Sequence, residues 1–263
     1  MNNIVFNLFP NGKKRAVTFS YDDGAKADYK MTEIFDRYGA KCTYNLNSGR
    51  FDQYHIDKAF VRELGERHEV AIHGVNHPFW ERLPHGEMLK DIIDDKDALE
   101  DIIGKPIIGG AYPYGTYNEE VVKVLDSAGI KYCRTTMSTK SFQWSKNMLE
   151  LSPTCHHNDC VERAKLFVNT PVWNNLPLFY IWGHSFEFEN ANNWEILDDL
   201  FAILGETDTI YYATNGELYD YYRAIQSLRI TNDKTVIVNP TATTVYATVN
   251  GVQTALTPGK TIL

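Results

Sequence analysis

The chain has 263 residues, 34 acidic against 26 basic, and a formal net charge of −8 with histidine neutral. That acidic balance excludes a protein that coats nucleic acid and speaks against docking on anionic membranes, so neither partner is expected. Hydrophobic residues make up 43% and aromatics 13%, which excludes disorder as the main state, and no apolar run nears the roughly 20 residues that span a bilayer.

The N-terminal stretch MNNIVFNLFPNGKKRAV has a short apolar run followed, not preceded, by basic residues. This is not the order of a signal peptide, so the expectation is a cytoplasmic chain or one trimmed of a leader. Arg15–Ser20 reads as a buried strand that ends in Tyr21-Asp22-Asp23-Gly24. Lys26–Arg37 reads as a helix stopped by Gly39, followed by a strand at Lys41–Leu46, a helix at Asp57–Leu64 and a strand at Glu69–His73. Gly86–Ile103 is a longer helix with Met88, Leu89, Ile92, Ile93, Leu99, Ile102 and Ile103 toward one side. Pro106–Gly110 leads into a strand, and Asn118–Ser127 is a helix closed by Gly129. Strands follow at Ile130–Arg134, Leu149–Pro153 and Leu178–Trp182, then a helix at Asn193–Leu204, a strand at Thr209–Ala213 and a helix at Glu217–Leu228.

This alternation implies parallel strands with helical crossovers outside, in an open doubly wound sheet or a closed β/α barrel. No G-x-G-x-x-G follows the first strand and no G-x-x-x-x-G-K-[ST] occurs, so neither a dinucleotide fold nor a P-loop is supported. After Leu228 come runs rich in β-branched residues, Thr235–Val238, Thr243–Val249 and Val252–Leu256, with Asn250-Gly251 as a hairpin signal. The domain reading is therefore a β/α unit over 1–228 and a small antiparallel β appendage over 229–263.

The four cysteines, Cys42, Cys133, Cys155 and Cys160, are too few for a disulfide scaffold and read as reduced, partly buried thiols. Cys155-His156-His157-Asn158-Asp159-Cys160 looks like half a zinc site, but no second ligand pair follows it.

The chemistry gathers at three predicted strand ends. Asp22 and Asp23 are adjacent carboxylates, which repel unless a cation lies near; their plainer reading is a turn with an N-capping Asp. His73 and His77, four apart around Gly74 and before Pro78, can converge on a metal together with one of these carboxylates. His184 follows the apolar run Leu178–Ile181 and should emerge at the mouth, whereas His55, His68 and His85 read as solvated.

These motifs resemble those of the polysaccharide deacetylases, carbohydrate esterase family 4 with the NodB homology domain, over roughly residues 13–228. The family's T-F-D-D-G is matched by Ser20-Tyr21-Asp22-Asp23-Gly24 and its H-[ST]-x-x-H by His73-Gly74-Val75-Asn76-His77. Its R-x-P-[YW] is matched by Ala111-Tyr112-Pro113-Tyr114 without the Arg, and its L-x-L-H loosely by Ile181-Trp182-Gly183-His184. Trp144 and Trp173 are the candidates for its Asp-Trp motif. The resemblance implies an α/β fold, a distorted (β/α)7-type, NodB-like barrel. It implies one divalent metal ion, zinc by its ligands, on Asp23, His73 and His77. It further implies Asp22 as general base, His184 as general acid and the Tyr114 backbone N–H at the oxyanion. The expected activity is removal of acetyl groups, N-acetyl foremost, from an acetylated sugar or oligosaccharide by a metal-bound water. Two rivals stay open: a metal-independent amidohydrolase acting on a ureide or cyclic imide, and a non-catalytic glycan binder.

The resemblance implies an Arg beside the base Asp; with Ala at 111, Asp22 lacks that partner unless another cation reaches it. Arg134, at the end of the next predicted strand, is the candidate, against the alternative of a solvated strand-end residue. Tyr21, Phe79, Trp80, Tyr112, Tyr114 and Trp182 are candidate sugar-stacking rings. Phe79-Trp80 is the preferred platform, and Trp182 is read as core. The sequence leaves the oligomeric state open.

Overall fold

A computed structural model describes residues 1–172, 176–205 and 207–263. Among these, the strands of the main unit are β2 (Arg15–Asp22), β3 (Cys42–Leu46), β4 (Glu69–Ile72), β5 (Gly109–Ala111), β6 (Tyr132–Arg134), β7 (Cys155–His156), β8 (Leu178–Gly183) and β9 (Ile210–Tyr212), with β1 (Ile4–Val5) ahead of them. The helices are α1 (Ala27–Arg37), α2 (Lys58–Arg67), α3 (His85–Ile103), α4 (Glu119–Ser127), α5 (Cys160–Val168), α6 (Ser185–Ala191), α7 (Glu195–Leu204) and α8 (Asn215–Ser227). The parallel strands run β6-β5-β4-β3-β2-β8-β7, and β9 joins the start of β2. The curl is completed by one parallel bridge, Arg134 to Leu151, just before β7. The distorted seven-strand barrel expected from the motifs is the observed architecture.

Alternation along β2 sorts its side chains into two layers. Val17, Phe19 and Tyr21 face the helices and join the main apolar core, where Phe19 packs on Phe35 and Phe201. On the opposite face Ala16 packs with Tyr132, Leu178 and Tyr180, while Thr18 donates to Asn215 Oδ1 and Ser20 accepts from Asn45 Nδ2. Asp22 continues this inward row, so a carboxylate is carried to the carboxyl end of the barrel. At the other end Phe9 closes the barrel, stacked on Trp144, Tyr211 and Tyr221.

Helix ends are fixed by local chemistry. Asn118 accepts from Val121 N to start α4, and Thr214 and Glu217 form a capping box that starts α8. Two elements differ from the sequence reading. Leu149–Pro153 is not a strand: Met148–Glu150 forms a 3-10 turn under the Asn147 side chain, only Leu151 bridges to the sheet, and the strand is β7. Helix α5, with Cys160, Ala164 and Phe167 buried at helical spacing, and helix α6 directly after His184 were both unanticipated.

The C-terminal segment forms β10 (Arg229–Ile230), β11 (Val236–Asn239), β12 (Val245–Val249), β13 (Val252–Leu256) and β14 (Gly259–Ile262). The hairpin between β12 and β13 turns at Asn250 (φ 50°) and Gly251 (φ 85°), both left-handed, as a two-residue turn requires. The chain's own N-terminus completes this region, because β1 pairs with β12. Tyr221 Oη ties it to α8, donating to Leu8 O and accepting from Tyr246 N.

The barrel ladder leaves no room at Gly109, where a Cβ would lie 1.8 Å from Cζ of the Tyr132 ring. Gly109→Ala is expected to destabilise the fold by about 1–3 kcal/mol, the usual cost of overpacking. A thermal melt checks this: a midpoint equal to the parent's would show that the ring can move aside.

Candidate active site

The site is built at the carboxyl ends of β2, β4, β5, β6 and β8, where parallel β/α sheets collect functional groups. Asp22 ends β2, and the chain then turns through Asp23 and Gly24 at φ 76° and 69°. His77 and Tyr114 also hold left-handed backbone, at φ 57° and 59°. Such geometry in non-glycine residues is costly and collects at functional sites. It turns Asp23 away from the inward row of β2 and toward the two histidines.

Ligating atoms of Asp23, His73 and His77 all lie within 4.8 Å of one another. His77 Nε2 is 3.7 Å and His73 Nε2 3.9 Å from Asp23 Oδ1, and that oxygen is buried without a hydrogen bond. His73 donates from Nδ1 to Ala111 O at 2.8 Å, which fixes its tautomer and leaves Nε2 as a bare lone pair toward the cluster. Burial outweighs Asp22 and Asp23 and lowers the His73 pKa; burial and then His73 lower His77 to about 4. Both rings are therefore neutral near pH 7. An unpaired carboxylate oxygen and two neutral imidazoles fit a divalent cation, and the nitrogen–oxygen set suits zinc.

Asp22 is held differently. It is buried with Arg134, whose Nη2 bonds Asp22 Oδ2, while Asn45 Nδ2 donates to Oδ1 at 2.8 Å. Burial pushes the Asp22 pKa up, but Arg134, His73 and His184 outweigh it and hold the carboxyl below its ordinary value. Arg134 stands directly across the ladder from Ala111, and its guanidinium lies 4.6 Å from the Trp182 ring centre. It is a buried partner of Asp22 and not a solvated strand end.

His184 Nε2 is 4.0 Å from Asp22 Oδ2 and 3.9 Å from Asp23 Oδ2. Burial lowers its pKa, but Glu187, Asp22 and Asp23 prevail and raise it. Tyr114 is half exposed at the rim; its ring stacks on Phe79 at 3.7 Å and meets His77 edge-on. Arg82 covers Phe79 at 3.8 Å.

Several expected residues lie elsewhere. Tyr21, Trp80 and Tyr112 are buried: Tyr21 packs on Phe35 and Phe188, Trp80 donates to Asp91, and Tyr112 donates to Leu149 O. Trp182 is half-buried beneath Arg134. Trp144 stacks on Phe9 and Tyr222 at the closed end, and Trp173 lies outside the described residues. His68 is buried rather than solvated, accepting from Cys42 N beside Asp36, and His55 pairs with Asp52. The four cysteines are free and buried.

The sequence reading passed over Asn45, Asp95 and Glu187. Asp95 accepts from Ser48 N and His73 N, both at 2.9 Å, and pins the His73 backbone. Its signal was a carboxylate on the apolar stripe of α3, between Ile92 and Leu99. Glu187 faces His184 Nδ1 at 3.3 Å.

Fold and site together define a deformed β/α barrel with a candidate metal centre at the carboxyl ends of its strands. The sequence model described as polysaccharide deacetylase matches residues 10–133. A Bacillus cereus protein named peptidoglycan-N-acetylglucosamine deacetylase is 26% identical over 141 residues, 52% of this chain and 51% of that protein. The chain spans about half the length of the curated relatives it matches. Among solved structures, the Xyl-CE4 domain of a multidomain xylanase from the hindgut metagenome of Trinervitermes trinervoides superposes with a TM-score of 0.56 at 16% identity, covering 80% of this chain and 91% of that one. A family 4 acetyl xylan esterase from Clostridium thermocellum, in complex with a cobalt ion, gives 0.55 at 16% identity, covering 78% and 90%. The fold is the deformed β/α barrel of these solved structures.

Removing one member of a buried ion pair strands the other charge, at a cost of about 3–5 kcal/mol. Arg134→Leu should show this in urea unfolding at pH 7. Without Arg134 the largest effect opposing burial at Asp22 is gone and only the weaker pull of His73 and His184 remains, so its folded pKa rises and protonation relieves the variant. The parent, with its lowered pKa, loses stability as pH falls, so the gap should narrow toward acid. A constant gap from pH 7 to pH 4 would contradict the pairing.

Proposed function

We propose that this protein is a metal-dependent hydrolase that releases acetate from an acetylated sugar or oligosaccharide, with N-acetyl groups preferred. The observation that carries the reading is the Asp23–His73–His77 cluster with Asp22 and His184 both at about 4 Å. In this reading Asp23, His73 and His77 hold the ion. A divalent cation there supplies Lewis acidity to a water and to the acetyl carbonyl.

Asp22 acts as general base. Its Oδ2 faces His73 and His184, and its lowered pKa keeps it ionised and ready to accept the water's proton. Arg134 and Asn45 orient that carboxylate from its two oxygens, so Arg134 takes the place of the arginine that the family carries at the position of Ala111. His184 is the general acid: its raised pKa favours the protonated ring, and Nε2 delivers the proton to the departing amine or alcohol. The backbone N–H of Tyr114 is assigned to the developing oxyanion. The exposed Tyr114 ring, stacked on Phe79, offers an apolar face to a sugar ring at the mouth.

The decisive experiment is acetate release from a panel of acetylated oligosaccharides, before and after a chelator. Release that disappears with chelation and returns with Zn²⁺ is the expected result; undiminished release from metal-free protein would favour the metal-independent amidohydrolase. Asp22→Asn should keep its metal and lose turnover by roughly 10²-fold or more, the scale of a lost general base. Arg134→Ala should lower turnover at unchanged metal content. Arg134→Lys should recover little of it, since an ammonium lacks the planar fork. Parental turnover in metal-loaded Asp22→Asn would remove the base assignment.

A further inference from the structure

On the far side of His184 lies a second group of ligating side chains. His156 ends β7, His157 opens the turn after it, and Glu187 stands in the first turn of α6. Glu187 Oε2 is 2.9 Å from His156 Nε2 and 3.1 Å from His157 Nε2, and the three atoms all lie within 4.8 Å of one another. Both approaches are at ion-pair distance, so one carboxylate oxygen is shared by two imidazoles. Two imidazole nitrogens and one carboxylate oxygen gathered this closely form a donor set that a small divalent cation can take up with modest outward movement. Ligands at ~2.0–2.1 Å from a tetrahedral zinc sit ~3.4 Å from each other.

The cluster is also built rather than incidental. The His157 ring is buried, stacked on Phe188 at 4.1 Å and lying parallel to Tyr21. Its close approach to β8 depends on Gly183, where a Cβ would fall 2.1 Å from His157 Nδ1. The neighbouring thiols of Cys155 and Cys160 are not part of the group.

We propose that His156 Nε2, His157 Nε2 and Glu187 Oε2 bind a second divalent transition-metal ion, of the zinc class, separate from the one assigned to Asp23, His73 and His77. The ligand set is two imidazoles and one carboxylate, which leaves further positions for water. Glu187 makes the site adjacent to the reaction centre, because its other oxygen, Oε1, is the one that faces His184 Nδ1 at 3.3 Å. A cation on Oε2 thus shares a carboxylate with the proposed acid.

Metal-stripped protein titrated with Zn²⁺ by calorimetry, with the bound ion counted by elemental analysis, tests this without reference to activity. The parent is expected to bind two ions per chain. His156→Ala, a partly exposed position whose folding is checked by circular dichroism, should bind one, and so should Glu187→Gln. The double variant His73→Ala/His77→Ala should also bind one, and should lose it when His156→Ala is added. A parent that binds a single ion, or a His156→Ala protein with undiminished stoichiometry, would overturn the second site. If the His73/His77 double variant instead keeps both ions while His156→Ala loses one, the first site fails and the second stands.

Discussion

A carboxylate that stays ionised while buried at the mouth of a barrel needs a cation close by, and the pairing of Asp22 with Arg134 sets the conditions for the rest of the site. Asp22 is 3% exposed and Arg134 not at all, so neither charge can turn to water. Removing one of them would strand the other at a cost that can rival a large share of a domain's net stability. The pair fixes the orientation of Asp22, and thereby the side from which His73 and His184 meet it. Asn45 completes the arrangement by occupying the other oxygen. Among the described residues the carboxylate next in sequence, Asp23, has no such partner, and its unbonded oxygen is the one turned toward the two histidines. Two adjacent aspartates thus acquire opposite environments through a single left-handed backbone turn.

Much of this was legible in the sequence for a definable reason. Strand ends recur in register in a parallel barrel, so residues that close the strands meet even when far apart along the chain. Asp22, Asp23, His73 and His77 each sit at such an end, and the step from Ala111 to Arg134 follows from two neighbouring strands ending in the same layer. The readings that failed depended on orientation rather than position. Tyr21 lies in the same motif as Asp22, yet alternation turns it into the helix layer. Trp80 follows Phe79 directly, but a 3-10 turn inverts it into the core while Phe79 stays at the rim beside Tyr114.

Other misses came from elements too short or too irregular to leave a periodic signal. Strand β7 has two residues, and the apolar stretch before it turns under Asn147 instead of extending. Helix α6 starts immediately after His184, so Glu187 comes to face that histidine only because residues three apart share a helix face. His156 and His157 drew notice beside two cysteines, whereas their observed neighbour is a glutamate about thirty residues on, which no local spacing announces.

The ladder position shared by Ala111 and Arg134 also constrains how this barrel can change over time. Position 111 is fully buried and directly across from the guanidinium, so an arginine gained there while Arg134 remained would bring two like charges onto one carboxylate. Movement of the cation between the two strands therefore cannot pass comfortably through a state that has both, nor through one that has neither. A chain with the arginine on one strand would be separated from a chain with it on the other by a valley in stability, so a residue at either position is informative only when the other is read with it.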